Sequence, residues 1–348
     1  MRIIVCNSQV PFEYGGAEIL AHALCAALRE HGHEADLVQI PQQWEPRSEI
    51  IKNYVVWRML DLTRTYHQQP IDRVICLKYP SYAVQHPRKT TWLVHQLRQV
   101  YDLYGSPFGF VGNTAEDRDM RTAVMQMDCN TIAESRRVYA ISANVADRLW
   151  RYNGIKADVL YPPPALTGRL LCKEHGDFVL SVGRLVPIKR VDLLIRAMAL
   201  VTTPVRCIIS GTGEDTPRLR QLAARLHVND RCQFAGFVDD DRLVDLYAHC
   251  LAVYNAPVDE DYGLVTVEAF MAGKPVLTAM DSGGTLEFVR EGETGYVFDA
   301  SMPAMLAQQI DELYAHRETA RQMGMRAQEA VSDITWDVTI ARLLDEHP

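Results

Sequence analysis

The 348-residue chain lacks several features that would each have fixed its class at once. No apolar run reaches the roughly 18 residues that a membrane-spanning helix needs. The opening MRIIVCNSQV carries one arginine and then too short an apolar stretch for a secretory leader, so it reads as a buried first strand. The eight cysteines are scattered, with no C-x-x-C pair and no histidine at ligand spacing. A disulfide framework and a zinc site are therefore not expected, and a reducing, cytoplasmic setting is. Positive charge is in deficit: 36 basic against 44 acidic side chains give a net charge of −8, which argues against generic nucleic-acid binding. The dinucleotide fingerprint G-x-G-x-x-G is missing, although Asp36 stands where such a fold would place its ribose carboxylate. No repeat of about 20–50 residues is present.

What remains is the composition of an ordinary globular protein, 48% hydrophobic and 23% charged, long enough for two domains. The charge is uneven, with 18 basic and 17 acidic side chains in residues 1–164 against 18 and 27 in 165–348. Short β-rich runs alternate with helical patterns throughout. RIIVCN, EADLVQI, DRVICLKY, TTWLVHQ and RRVYAIS read as strands in the first half, and DFVLSVG, VRCIISG, CQFAGFV, LAVYNA and PVLTA in the second. Such alternation predicts parallel, doubly wound sheets. Pro162–Pro164 can neither continue a helix nor join a central strand, so 161–164 reads as a linker. The fold class expected is α/β: a Rossmann-like domain over 1–164, a second over 165–334, and a cleft between them. The amphipathic last segment, 335–348, is a candidate to pack back on the first domain. Residues 99–135 are polar and weakly periodic and receive no assignment.

Three loops at predicted strand ends could hold phosphate. Gly15-Gly16 opens a helix after the first strand, where backbone N–H groups can approach an anion. The alternative is a tight turn that needs positive φ. In SVGRLVPIKR, Gly183 ends a strand, Arg184 follows, and Lys189 stands at the mouth of the next helix. A guanidinium fork and an ammonium there suit a diphosphate. Gly211-Thr212-Gly213 is the third, more simply read as a strand-to-helix turn. A pair of glutamates, Glu260 and Glu268, brackets the stretch DYGLVTV. Eight residues is the wrong interval for one helical face. Glu260 is therefore expected on a loop and Glu268 in the first turns of a helix over 265–272, with the backbone N–H groups of Tyr262, Gly263, Leu264 and Val265 between them. Each carboxylate can accept hydrogen bonds from a pair of sugar hydroxyls.

Taken together these motifs resemble the retaining glycosyltransferases of family GT4, which have the two-domain GT-B fold. The resemblance rests on the E-x7-E pair before GKPV, on SVGR…K, on GG-x-E after the first strand, on FAGFV and on SGGTLEFVREGETGYVFD. It is close over 178–299. In the first half it holds at the GGAE loop, at TTWLVHQ and at VYAISANVADRL. It implies that Arg184 and Lys189 bind the donor diphosphate and stabilise the charge that develops on it. It gives Glu260 the donor sugar hydroxyls and Glu268 the ribose hydroxyls. The backbone at Phe237–Val238 would meet the base, Gly15–Gly16 the phosphate or sugar, and His95 the reaction centre. Gln96 stands where the family often has aspartate.

The resemblance also implies retention by front-face attack, a UDP- or GDP-sugar donor, and a glycan or lipid-linked acceptor in cell-surface polysaccharide synthesis. No metal and no cofactor are expected. Of two D-x-D strings, Asp239–Asp241 reads as a helix N-cap cluster, and Asp259–Asp261 overlaps the sugar loop. Residues 49–68 carry Lys52, Arg58 and Arg64 among Val56, Trp57 and Met59. They read either as a helix packed on its own domain or as an interfacial helix touching a membrane peripherally. Two other classes stay open: a GT-B relative that binds or alters a nucleotide sugar without transfer, such as an epimerase or regulatory subunit, and a dehydrogenase.

Overall fold

A computed structural model describes residues 1–12, 15–43, 45, 47–109 and 114–345. The chain divides into two compact units, Met1–Ala165 with Trp336–Pro348, and Leu166–Thr335. The boundary follows directly after the three prolines.

In unit 1, β1 (Arg2–Gln9), β2 (Glu34–Pro41), β3 (Arg73–Lys78), β4 (Lys89–His95), β5 (Arg137–Ala140) and β6 (Asp158–Val159) form one sheet. Its order is β2-β1-β3-β4-β5-β6, with parallel pairings. Val74, Ile75, Leu77, Trp92 and Leu93 are wholly buried, as expected for strands covered on both faces. The first helix, α1 (Gly16–Glu30), buries Leu20, Leu24, Ala27 and Leu28 on one face. Its Glu18 carboxylate reaches back to accept the Gly15 N–H at 3.1 Å, and Gly32 ends the segment at φ +80°.

The second helix, α2 (Ser48–Met59), is shorter than the 49–68 segment read from the sequence. It ends where Leu60 turns extended, so Arg64 lies beyond it. Trp57, counted among the apolar residues of an interfacial helix, is fully buried and donates its indole N–H to Ser8 Oγ at 2.9 Å. The exposed stripe is Lys52, Val55, Val56 and Met59.

Within 99–135 the structure has α3 (Ala115–Ala133), while residues 110–113 lie outside the described residues. The Thr114 hydroxyl caps it by accepting the Asp117 N–H at 3.1 Å. Its inward face mixes Asp117, Asp128 and Thr131 with Val124 and Ile132, so no apolar stripe marks it in the sequence. Asp128 is fully buried and accepts hydrogen bonds from the hydroxyls of Tyr54, Tyr82 and Tyr101, the last two at 2.6 Å. A fourth helix, α4 (Ala143–Asn153), follows β5.

Unit 2 repeats the plan. Strands β7 (Phe178–Val182), β8 (Arg206–Ser210), β9 (Cys232–Gly236), β10 (Ala252–Tyr254), β11 (Val276–Ala279) and β12 (Gly295–Phe298) pair in parallel. Their order is β12-β11-β10-β7-β8-β9. Helices α5 (Val191–Met198), α6 (Thr216–Arg225), α7 (Asp240–His249), α8 (Leu264–Met271), α9 (Pro303–Ala315) and α10 (Arg317–Ala330) flank the sheet. Val179, Leu194, Ile195, Ile209, Leu219 and Leu306 anchor its core. Strand order reverses between β7 and β10, and in such sheets ligands bind beyond the carboxyl ends at that reversal.

The last helix, α11 (Trp336–Leu344), belongs to unit 1. Its terminal carbonyls are held there: Arg73 donates to Leu343 at 2.6 Å and Tyr139 Oη to Arg342 at 2.9 Å. A cation at a helix C-terminus meets both the orphan carbonyls and the negative end of the dipole.

Candidate active site

The loops after β7 and β10 carry Gly183, Arg184, Lys189, Glu260, Tyr262 and Gly263, all singled out from the sequence. Beyond β7, Gly183 adopts φ +131°, a region closed to most side chains, and Arg184 stands exposed. The β8 loop lies directly beneath. A Cβ on Gly211 would come within 1.9 Å of the Gly183 carbonyl, and one on Gly213 within 2.2 Å of the Leu185 carbonyl. The third glycine loop therefore serves loop-on-loop packing, with Leu185 donating its N–H to Thr212 at 2.9 Å. Lys189 ends a short 3₁₀ turn, Pro187–Lys189, and Arg190 follows at φ +51° before α5 begins.

Arg190 was not apparent as a site residue, yet it organises the loop that bears Glu260. Its guanidinium donates to the carbonyls of Ala256 (2.8 Å) and Pro257 (2.7 Å) and forms a two-pronged bond to the Asp281 carboxylate at 2.8 and 2.7 Å. Val258 N–H meets the Ile188 carbonyl at 2.9 Å, and Gly284 N–H meets the Glu260 carbonyl at 2.7 Å. The loops after β7, β10 and β11 are thus one hydrogen-bonded block. Within it the Glu260 carboxylate is ion-paired with the Lys189 ammonium. The only sequence signal for Arg190 is its place beside Lys189; its partners lie 66 to 91 positions away.

Beyond Glu260 the chain turns into α8. Gly263 caps it at φ +85°, with Thr285 Oγ1 only 2.7 Å from where a Cβ would stand. The side chain of Tyr262 is buried, its ring edge-on to Phe288 at 5.6 Å, so only its backbone is on offer to a ligand. Gly263, Leu264 and Val265 open the helix, where N–H groups have no partner in the helical ladder. Glu268, the fifth residue of α8, is 8% exposed and accepts the Tyr247 hydroxyl at 2.7 Å. Burial raises its pKa to about 7, against a smaller opposing effect of the Tyr247 bond. After β9, Phe237 is 84% exposed with Val238 beside it, and Asp239 caps α7 by accepting the Arg242 N–H at 2.8 Å.

Gly183, Arg184, Lys189 and Asn255 line a small depression at the strand-order reversal. A larger groove of about 580 Å³ in the same unit runs along Tyr296, Gln309 and Glu312, and contains none of these residues. Of the residues singled out from the sequence, Gly183, Arg184 and Lys189 lie at the smaller one.

In unit 1, Gly15 is extended (φ −138°) and Gly16 begins α1, so neither has the positive φ of a tight turn. Among the described residues, a Cβ on Gly16 would touch nothing within 4 Å, and one on Gly15 only Glu18 Oε2 at 3.5 Å. Local geometry does not require glycine at either place. Lys78, at the end of β3, forms a buried ion pair with Glu18 of the same loop. His95 ends β4 half-buried. Its Nδ1–H donates to the Gln96 carbonyl at 2.8 Å. Gln96 is fully buried, with its amide donating to Asn153.

Two parallel six-stranded α/β units in tandem, with cations and carboxylates at the reversal of the second, define a GT-B protein. Residues 168–330 match the family described as glycosyl transferases group 1, in keeping with the GT4-like motifs. Among its relatives is the D-inositol 3-phosphate glycosyltransferase of Nocardia farcinica, 32% identical over 240 residues, which cover 62% of this chain and 53% of that protein. The chain spans about half the length of the curated relatives it matches. Sucrose-phosphate synthase from Thermosynechococcus elongatus has the same fold, with a TM-score of 0.77 at 18% identity over 99% of this chain and 97% of that one. So does Anabaena HepE, solved in complex with UDP-glucose, with a TM-score of 0.73 at 18% identity over 99% and 98%.

Proposed function

We propose that the chain transfers a sugar from a UDP- or GDP-sugar to a hydroxyl of a glycan or lipid-linked acceptor, with retention and without a metal. The observation that carries this reading is the convergence of Arg184, Lys189, Glu260 and α8 on the strand-order reversal of unit 2. Leu166–Thr335 is then the donor unit and the remainder the acceptor side. Arg184, Lys189 and the first-turn N–H groups of α8 receive the diphosphate. Glu268 accepts the ribose hydroxyls, Glu260 the sugar hydroxyls, and Phe237–Val238 lie against the base. Gly15–Gly16 meet the phosphate or sugar, and His95 the sugar at the reacting carbon.

In the reaction, the bond from the sugar's anomeric carbon to the β-phosphate oxygen breaks and a bond to the acceptor oxygen forms on the same face. The acceptor's proton passes to the departing phosphate. Cations already in place stabilise the charge gathering on that phosphate, which is how preorganised electrostatics lower such a barrier. No protein nucleophile is called for.

Glycan assembly at a cell surface, begun from the cytoplasmic side, fits this chemistry. The exposed stripe Lys52, Val55, Val56 and Met59 on α2 suits peripheral contact with an anionic membrane. Absence of flotation with anionic vesicles removes that clause. The central test is calorimetric titration with UDP, GDP, ADP and NAD⁺, with and without a chelator. One nucleoside diphosphate binding regardless of chelator supports the reading, and binding of NAD⁺ alone sinks it. Nucleotide-sugar binding without turnover on any acceptor would favour the non-transferring relative.

A further inference from the structure

Resting on that reading, we infer that Lys189 and Glu260 form an exchange pair: the carboxylate that is to recognise the donor sugar is held by the lysine until a diphosphate takes the lysine away. The two side chains are in direct contact, 28% and 24% exposed. Their loops are fixed to each other by the Val258–Ile188 backbone bond and by the Arg190 clasp on Ala256, Pro257 and Asp281. The pair is thus held by a rigid frame, and parting it needs side-chain rotation only.

Charge decides the exchange. A diphosphate offers the ammonium more negative charge and more acceptor oxygens than one carboxylate does, and a carboxylate beside it is repelled. Lys189 turns to the phosphate, and Glu260 Oε2 exchanges its ammonium partner for a sugar hydroxyl. Sugar recognition then becomes conditional on the diphosphate. A free hexose, or a nucleoside monophosphate that does not reach Lys189, leaves Glu260 engaged.

The pair therefore competes with nucleotide, and removing the carboxylate should tighten nucleotide binding. In titrations of the full chain with UDP or GDP, whichever binds, Glu260→Gln is expected to improve affinity about three- to tenfold, the scale of a partly exposed ion pair plus relieved repulsion. Affinity for the matching monophosphate should stay unchanged. The gain should vanish when Lys189→Met is also present, as a double-mutant cycle reports. Glu260→Asp, a milder change that keeps the charge but shortens the reach, should give a smaller gain and guards against a folding defect in the first variant. Equal or weaker diphosphate binding in Glu260→Gln overturns the exchange, as does a gain that persists without Lys189. A wild-type chain that binds no nucleoside diphosphate instead removes the donor-site reading, a different result from either.

Discussion

Asp128 in unit 1 and Glu268 in unit 2 are both carboxylates sunk in the interior beside tyrosine hydroxyls. Burial raises the pKa of each, to about 6 for Asp128 and about 7 for Glu268. They differ in company. Asp128 accepts from three tyrosines, whereas Tyr247 is the one hydrogen-bond partner of the Glu268 carboxylate among the described residues. A carboxylate has about four acceptor sites. Asp128 has most of its sites filled and ties together α2, α3 and the segments around Tyr82 and Tyr101. Glu268 keeps acceptor capacity unspent at the carboxyl edge of its sheet, which is what a residue awaiting a ligand's hydroxyls would show.

The comparison breaks most visibly at Asp128. In Asp128→Ala three buried hydroxyls lose their acceptor, and unit 1 should lose about 4 kcal/mol of stability in urea unfolding. Nucleotide affinity should not change. For Glu268→Ala the pattern is reversed: affinity for the cognate nucleoside diphosphate should fall roughly 150-fold or more, the worth of two charge-assisted hydrogen bonds. Stability should change little. A variant of Asp128 that folds well and loses nucleotide would invert the argument.

Protonation sharpens the contrast further. Glu268 ionises at 4.5 in the unfolded chain and at about 7 in the fold. Between those values the folded chain binds a proton the unfolded chain does not, so stability falls as pH rises through that window, by roughly 3 kcal/mol in all. In the proposed role, ribose hydroxyls donate to the ionised form, so binding should pull the proton off. Affinity for a nucleotide sugar, whose phosphates are diesters and do not titrate here, should rise about tenfold from pH 6 to pH 8. Glu268→Gln should flatten that profile.

Much of this frame is legible in the sequence. The apolar runs mark five of the six strands in each sheet, missing the two-residue β6 and the edge strand β12, and E-x7-E lies where a loop gives way to a helix, with Glu260 before Gly263 and Glu268 within α8. Other parts are not legible, for definite reasons. The inward face of α3 is half polar because Asp128 serves the tyrosines, so a long helix shows no stripe. Nothing in 49–68 breaks the helical pattern before Pro70, yet α2 stops at Met59, and Trp57 turns inward to Ser8. The Lys189–Glu260 pair spans 71 positions, and the Arg190 clasp depends on Asp281, 91 positions on. Such pairings are products of the strand order, which local patterns do not encode.

The smallest expected effect tests whether Tyr247 tunes Glu268 or merely packs beside it. Its hydroxyl donates to Oε2 and so favours the ionised carboxylate, opposing the burial that raises the pKa. Tyr247→Phe removes the donor with almost no change of shape. The Glu268 pKa should then climb above its present value, and the pH midpoint of nucleotide-sugar binding should move up by about half a pH unit, the scale of one hydrogen bond. Affinity at pH 7 should drop about twofold, while at pH 9, where the carboxylate is ionised in either chain, the two proteins should bind alike. A loss of equal size at every pH would mean that Tyr247 only holds the shape of the site. In that case the scarcity of donors around Glu268, compared with the three around Asp128, would say nothing about its charge.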